Sequence, residues 1–184
     1  MPPPDPEQTA KWEALIEKCP PYKNHPNVRY FVLKSNNQES LKIAFDHSVW
    51  ATTHGPSGKL KKALQAGSKV ILFFSLTESG GFQGVAEMVA EPDSQFMPQF
   101  FQVTPDEQIQ YRGNFPIKWI AKDIHFHYRN LNHFPVNPLN EGLTIMQSKN
   151  GQEIPQKQGN YLVTLMVDEV KRTRTQRQAE GVRL

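Results

Sequence analysis

Three polar residues near position 125 have side chains that could do chemistry: Asp123, His125 and His127. Alternate residues of a β-strand lie on the same face, so a strand here would place two imidazoles and a carboxylate together. Such a group could bind a metal ion or transfer protons. Alternating polar residues are also typical of a strand face in contact with water, and no nucleophile or second pair of carboxylates accompanies this group. We prefer the second interpretation.

The familiar enzyme motifs are absent from the sequence. It contains no Gly-x-x-x-x-Gly-Lys-Ser/Thr, no Gly-x-Gly-x-x-Gly after a strand, no His-Glu-x-x-His and no Gly-x-Ser-x-Gly. The single cysteine, Cys19, precedes a proline in a terminal segment and has no activating neighbour. We therefore predict that the chain is not an enzyme.

A second set of residues with chemical potential is aromatic. Trp50 directly follows a segment with helical periodicity, and Phe100, Phe101 and Tyr111 belong to a long stretch without periodicity. If several of these rings converged on one cavity, they could stack on a nucleic-acid base, at about 1–3 kcal/mol per base. Each ring could instead complete the hydrophobic core, and at this point both interpretations stay open.

The composition excludes several classes of protein. The chain has 184 residues, 38% of them hydrophobic, which suits one folded domain. A single cysteine excludes disulfide scaffolds and cysteine-based zinc sites, and no apolar run is long enough to cross a membrane. The N-terminus has neither the basic start nor the apolar stretch of a signal peptide, so we predict an intracellular protein.

The net charge of +3 is unevenly distributed. The surplus is concentrated near the C-terminus, in Lys171, Arg172, Arg174, Arg177 and Arg183. A short basic segment attracts phosphate groups, but it is equally typical of the solvated end of a helix. We divide the chain into a flexible proline-rich leader (1–10), a single domain (11–170) and a basic C-terminal tail (171–184).

Strand and helix patterns alternate along the chain. The continuous apolar run at 69–76 predicts a strand buried on both faces, central in its sheet and antiparallel to the next strand. The other predicted strands are 28–33, 49–53, 82–89, 115–120 and 143–146. The predicted helices are 11–18, 38–47, 58–66 and 156–177. Residues 92–110 show no helical or strand periodicity, which predicts a long loop. A loop of this length in a compact domain is often functional.

Seven segments of the sequence occur in the order and spacing of a known family. They are 29–36 (RYFVLKSN), 49–52 (VWAT), 70–75 (VILFFS), 81–86 (GFQGVA), 113–119 (GNFPIKW), 137–141 (NPLNE) and 150–153 (NGQE). With them, residues from about 28 to 168 resemble the YTH domain, a reader of N6-methyladenosine in RNA. The segment 110–115 (QYRGNF) is most similar to YTH domains joined to polyadenylation factors. The resemblance implies a mixed, barrel-like sheet of six strands surrounded by helices.

The resemblance also implies an aromatic cage for the methylated base. Trp50 matches the first wall, and Tyr111, just before the Gly-x-Phe segment, matches another. The remaining wall comes from the preceding loop, where this sequence has Phe100 or Phe101 in place of the usual tryptophan, and we prefer Phe101 narrowly. Trp119 matches a core position of the family.

Polar contacts to the base carry over from the family less completely. Ala51 would accept a hydrogen bond from N6–H of the base through its backbone carbonyl, and Asn36 would contribute its backbone near the opposite edge. Ser40 departs from the family, which usually has asparagine or aspartate there to bond N1 of adenine. A serine is shorter, so it must reach further or act through water, and affinity is the property most affected.

Basic residues beside these positions match those that hold the flanking phosphates. They are Lys34 and Lys149, with Ser35 and Asn150 adjoining them. Contacts of this kind position a nucleic-acid strand without reading its bases.

The resemblance implies a reader that binds N6-methyladenosine in single-stranded RNA and links the mark to mRNA processing, with no cofactor and no metal. Its partners would be methylated RNA and proteins of mRNA 3′-end processing. We expect a monomer that does not bind membranes and is located in the nucleus, with the cytoplasm as the other option. The alternative function is a protein-interaction module with the same fold, whose RNA binding is weakened by Ser40.

Overall fold

The computed structural model describes residues 5–101 and 111–181. Within them the strands are β1 (Val28–Ser35), β2 (Val49–Thr53), β3 (Lys69–Leu76), β4 (Gly81–Phe82), β5 (Gly84–Met88), β6 (Tyr111–Ala121), β7 (Phe126–His127) and β8 (Gln152–Ile154). Six of them form one mixed sheet in the order β2-β6-β5-β3-β1-β8, and β4 pairs with β7. The sheet curls into a half-barrel, which confirms the predicted α/β fold.

Strand β3 lies inside this sheet, as its apolar run predicts. It pairs in parallel with β1, placing Phe31 opposite Leu72, and in antiparallel with β5, placing Val85 opposite Phe73. Since a sheet strand presents alternate residues to opposite faces, Ile71 and Phe73 join one hydrophobic cluster while Leu72 joins another on the other face. Both faces of β3 are therefore buried.

Helices cover the two faces of the sheet. They are α1 (Pro6–Lys18), α2 (Gln38–His47), α3 (His54–Gln65) and α4 (Gln156–Ala179). The buried apolar side chains of α2 and α3 join the cluster around Leu72, whereas those of α1 and α4 join the cluster around Phe73. Within the described residues, no helix is both long enough and apolar enough to cross a membrane.

The close approach of α4 to β1 requires a glycine. A Cβ atom added to Gly159 would lie 2.2 Å from the ring of Tyr30, a distance that packed atoms do not tolerate. The Tyr30 hydroxyl donates a hydrogen bond to the Asn160 side chain, and both residues are buried. Burial raises the pKa of Tyr30 well above its ordinary value.

Both ends of the chain contain more helix than we predict. Helix α1 begins at Pro6, where proline suits the first turn and the Asp5 side chain accepts a hydrogen bond from the backbone N–H of Glu7. Residues 6–10 are therefore helical and not part of a flexible leader, while 1–4 lie outside the described residues. Helix α4 continues to Ala179, so most of the predicted basic tail is an exposed end of that helix. The division into domains stays a prediction.

Some predicted strands were also wrong. The predicted strand 82–89 is interrupted at Gln83, because Phe82 pairs with Phe126 of β7 whereas Gly84 pairs with Phe74 of β3. The predicted strand 143–146 is absent; Leu143 makes only an isolated bridge, and a short 3₁₀ helix follows it. These segments contain apolar residues, but no single neighbouring strand pairs with them along their whole length, so a continuous strand does not form.

Candidate nucleic-acid interface

A cavity of about 130 Å³ lies beside the end of β1, the start of α2, strand β2 and the first residue of β6. Its lining residues are Lys34, Ser35, Asn36, Asn37, Ser40, Trp50, Ala51, Thr52, Thr53, Phe101, Tyr111 and Asn150. The predicted site residues are therefore brought together here, with the exceptions of Phe100 and Lys149.

The turn between β1 and α2 forms one side of the cavity and is held by side-chain hydrogen bonds. The Ser35 hydroxyl donates to the Asn37 carbonyl at 2.8 Å, and the Asn37 side chain accepts from the backbone N–H of Ser40 at 2.7 Å, capping α2. The Asn36 side-chain oxygen accepts from the Thr77 hydroxyl at 2.9 Å. The polar residues of this side are thus fixed before any ligand binds.

Aromatic rings form the opposite side of the cavity. The Phe101 ring centroid lies 5.5 Å from the Trp50 indole and 6.1 Å from the Tyr111 ring. Trp50 is only 5% exposed and packs edge-on against Phe74 at 5.1 Å, which holds the indole firmly in the core. Since β2 and β6 pair with Thr53 opposite Tyr111, two of the three rings come from adjacent strands.

Phe100 points away from this cavity. Its ring packs against the imidazole of His47, at the end of α2, with centroids 4.4 Å apart. Phe101 has a backbone φ of +56°, a left-handed conformation that L residues seldom adopt. Of the two residues we considered for the third wall, the structure places Phe101 in the cavity and Phe100 outside it.

Lys34 lies at the edge of the cavity, and its ammonium group is held in place. Its Nζ donates to the Tyr128 hydroxyl at 3.0 Å and to the Ser75 hydroxyl at 3.4 Å, and lies 5.5 Å from the centre of the Tyr128 ring. The backbone N–H of Lys34 donates to the Asn150 side chain at 3.1 Å. A positive charge is therefore fixed beside the aromatic cavity, while Lys149, next in sequence to Asn150, is exposed and does not line it.

Comparison with protein families assigns the domain that contains this cavity. The model of the YTH domain, described as a YT521-B-like domain, matches residues 28–167. The chain belongs to the YTH family. This confirms the resemblance that the seven sequence segments indicate.

Relatives of known name and structure agree with this assignment. Methylated RNA-binding protein 1 of Saccharomyces cerevisiae is 38% identical over 151 residues, covering 79% of this chain and 47% of the yeast protein. The 30-kDa cleavage and polyadenylation specificity factor 30 of Arabidopsis thaliana is 34% identical over 140 residues, covering 75% of this chain and 21% of the plant protein. The chain thus spans about half of the first relative and about a fifth of the second.

A solved structure is also similar to this YTH domain. The Toxoplasma CPSF4 YTH domain, in complex with a 7-mer m6A-modified RNA, matches with a TM-score of 0.69 and 35% sequence identity. The match covers 76% of this chain and 91% of that chain. A relative with this fold has therefore been observed bound to methylated RNA.

The histidine group of this YTH domain does not lie on one continuous strand, although the rings of His125 and His127 pack edge-on with their centroids 4.2 Å apart. Strand β7 contains only Phe126 and His127, and Asp123 lies in a bend before it with a φ of +52°. Burial and the neighbouring His127 lower the pKa of His125, whose Nδ1 lies 2.9 Å from Nε2 of Gln83. Across the described residues, no group of three or more His, Cys, Asp or Glu side chains could hold a metal ion.

Some residues in and behind the cavity wall are not predicted from the sequence. Asn37 and Thr52 line the cavity. Tyr128 and Ser75 accept hydrogen bonds from the Lys34 ammonium group. The Thr52 hydroxyl is buried and lacks a hydrogen-bond partner within the described residues. Asn37 carries a recognisable signal, since asparagine is a preferred residue before a helix. Tyr128 does not, because its contact with Lys34 joins residues far apart in the chain.

Proposed function

We propose that this YTH domain binds N6-methyladenosine in single-stranded RNA, with the base in the cavity formed by Trp50, Phe101 and Tyr111. The observation that carries the proposal is the convergence of these three rings, from two strands and a loop, on one small cavity. The relatives' names and the RNA-bound Toxoplasma domain support the same ligand. Binding is the whole proposed activity, with no reaction catalysed and no cofactor.

Methyl selectivity in this proposal comes mainly from shape. Burying one methyl group contributes only about 0.8 kcal/mol by transfer from water. A rigid pocket that packs around the methyl group is left with a void when it is absent, so discrimination reaches about 1–3 kcal/mol, or 10- to 200-fold. Trp50 suits this role because its edge-on contact with Phe74 prevents the indole from moving to fill the void. The base must be unpaired to enter.

Polar groups from both sides of the cavity would orient the base. In the proposal the Ala51 carbonyl accepts from N6–H, the backbone of Asn36 contacts the opposite edge, and Ser40 faces N1. The backbone N–H of Ser40 is already used by Asn37, which leaves its hydroxyl for the base. A serine hydroxyl reaches less far than an asparagine amide, so a bridging water suits this contact.

The RNA backbone would run past the charged edge of the cavity. We assign Lys34 and Lys149, with Ser35 and Asn150, to the flanking phosphates. Lys34 is held by Tyr128 and Ser75, so little side-chain freedom is lost when it contacts a phosphate. Lys149 is exposed and would contribute charge with less fixed geometry.

The wider role of the protein is part of the proposal. A relative named for cleavage and polyadenylation supports a link to mRNA processing and to proteins of mRNA 3′-end formation. We propose that the domain acts as a monomer inside the cell, in the nucleus in preference to the cytoplasm.

The decisive test is a titration with two short RNA strands that differ in a single N6-methyl group, at fixed salt and followed by calorimetry. We expect at least tenfold tighter binding of the methylated strand, and loss of that preference in Trp50→Ala. Trp50→Phe keeps more of the core packing and separates lost recognition from lost folding. Equal, weak binding of both strands by the unchanged protein would overturn the proposal and favour the protein-interaction module.

A further inference from the structure

The side chain of Asn114 joins strand β6 to the loop that carries Phe101. Asn114 is 6% exposed, and its Nδ2 donates to the Met97 carbonyl at 2.8 Å and to the Phe100 carbonyl at 3.1 Å. An amide nitrogen has two hydrogens, so both donors of this group are used on the same loop. One side chain therefore holds the backbone immediately before Phe101.

The start of the same loop is attached to the same residue. The backbone N–H of Asp93 donates to the Asn114 carbonyl at 2.8 Å, and the backbone N–H of Asn114 donates to the Asp93 carbonyl at 3.2 Å. This close approach depends on the preceding residue, because a Cβ atom at Gly113 would lie 2.9 Å from the backbone of Asp93. The loop from Asp93 to Phe101 is thus fastened to Asn114 at both of its ends.

The loop needs such support because its backbone is unfavourable. Met97 has a φ of +44° and Phe101 a φ of +56°, and residues other than glycine adopt this left-handed region only when their surroundings impose it. One hydrogen bond from Asn114 ends on the carbonyl of Met97 itself. The other ends on the carbonyl of Phe100, directly before Phe101. Both hydrogen bonds accompany the turn that sends Phe100 towards His47 and Phe101 into the cavity.

Asn114 also lies beside the other rings of the cavity. It pairs with Ala51 across strands β2 and β6, next to the pair formed by Trp50 and Phe115. Tyr111 is the first residue of the same strand β6. Asn114 is therefore connected to the elements that carry all three rings, although it does not line the cavity itself.

We propose that Asn114 is a positioning residue that sets the separation of Phe101 from Trp50, and with it the preference for a methylated base. The identity of the ligand rests on the proposed function, whereas the attachment of the loop to Asn114 does not. Without the amide, the loop is released from β6, Phe101 no longer stays 5.5 Å from the indole, and the cavity accepts methylated and unmethylated adenine more equally.

The first test compares the affinity ratio for methylated and unmethylated RNA in Asn114→Ala with that of the unchanged protein. We expect the ratio to fall by about tenfold, which is the contribution of a close pocket contact to discrimination. Asn114→Asp is the second variant; it keeps the size but turns a carboxylate towards two carbonyls, so the ratio should fall likewise. A ratio that stays within about twofold in either folded variant would overturn the proposal.

Asn137→Ala is the matched control. Asn137 is fully buried, its Nδ2 donates to the Glu153 carbonyl at 2.8 Å and its Oδ1 accepts from the N–H of Leu139 at 2.8 Å, away from the cavity. Its loss should lower stability while leaving the ratio unchanged. An equal fall of the ratio in Asn137→Ala would show that Asn114 acts only through general stability.

Two further measurements isolate the connection to Phe101. In a Phe101→Ala background, adding Asn114→Ala should cause no additional fall in the ratio, because the ring that Asn114 positions is already gone. Hydrogen exchange of the RNA-free protein should become faster in residues 93–101 of Asn114→Ala but not of Asn137→Ala. This measurement tests whether Asn114 holds the loop even if the unchanged protein does not prefer methylated RNA. Unchanged exchange in Asn114→Ala would disprove that role.

Discussion

The ring of Phe101 lies edge-on to the indole of Trp50, with the two centroids 5.5 Å apart. The residues are far apart in sequence, and the contact brings a loop against the second strand of the domain. It produces a cavity closed by aromatic rings on one side and by a hydrogen-bonded turn on the other.

The first prediction separates the two neighbouring phenylalanines. Phe101→Ala should lower the preference for methylated over unmethylated RNA by about tenfold, because the cavity loses a wall. Phe100→Ala should leave the preference unchanged, since that ring packs on His47 outside the cavity. The measurement is a paired titration of each variant with the two RNA strands. The opposite outcome would reassign the wall to Phe100.

The second prediction concerns the short side chain at position 40. Ser40→Asn should strengthen binding of methylated RNA by about fivefold, as a direct hydrogen bond to a buried base contributes roughly 1 kcal/mol. Calorimetry at constant salt measures the change, with Ser40→Ala as the control that lacks any side-chain hydrogen bond. If Ser40→Asn brings no gain, the serine already satisfies the base and weakened RNA binding is not a property of this domain.

The third prediction tests the charge at the edge of the cavity. Lys34→Gln should weaken methylated and unmethylated RNA by the same factor and reduce the slope of log K against log salt by about one. Tyr128→Phe removes a hydroxyl that accepts from Lys34 and should cause a smaller loss of the same kind. Lys11→Gln, on a helix that packs on the other face of the sheet, is the control. A change in methyl preference in Lys34→Gln would contradict a purely positioning role.

The fourth prediction concerns the packing of α4 on β1. Gly159→Ala should lower the free energy of unfolding by about 1–3 kcal/mol, because the added methyl group would overlap the Tyr30 ring. Gly58→Ala in α3 is the matched control, since no atom lies within 4 Å of the added Cβ. It should raise stability by up to about 1 kcal/mol. Denaturant unfolding monitored by circular dichroism measures the stability of both variants. If Gly159→Ala is as stable as the unchanged protein, α4 shifts to accept the methyl group.

The sequence by itself determined the elements whose pattern is local. The apolar run of β3 predicts a buried central strand because a segment without alternating polar residues has two apolar faces, and both must be shielded from water. The helical periodicity of 38–47 likewise predicts α2, which the structure places at Gln38–His47. The ordered family segments identified the domain from the sequence. They also predicted most of the residues that line the cavity, including Trp50 and Tyr111.

Only the tertiary structure decided how distant segments meet. Phe100 and Phe101 are identical in chemistry and adjacent in sequence, and what separates them is a left-handed backbone at Phe101. The carbonyls of Met97 and Phe100 in this loop accept hydrogen bonds from the Asn114 side chain of strand β6. The strand predicted at 82–89 ends at Gln83 because its two halves find different partner strands. Asp123 and His125 lie outside any strand for a related reason: a strand extends only where a neighbouring strand supplies hydrogen bonds, and β7 has that support for two residues.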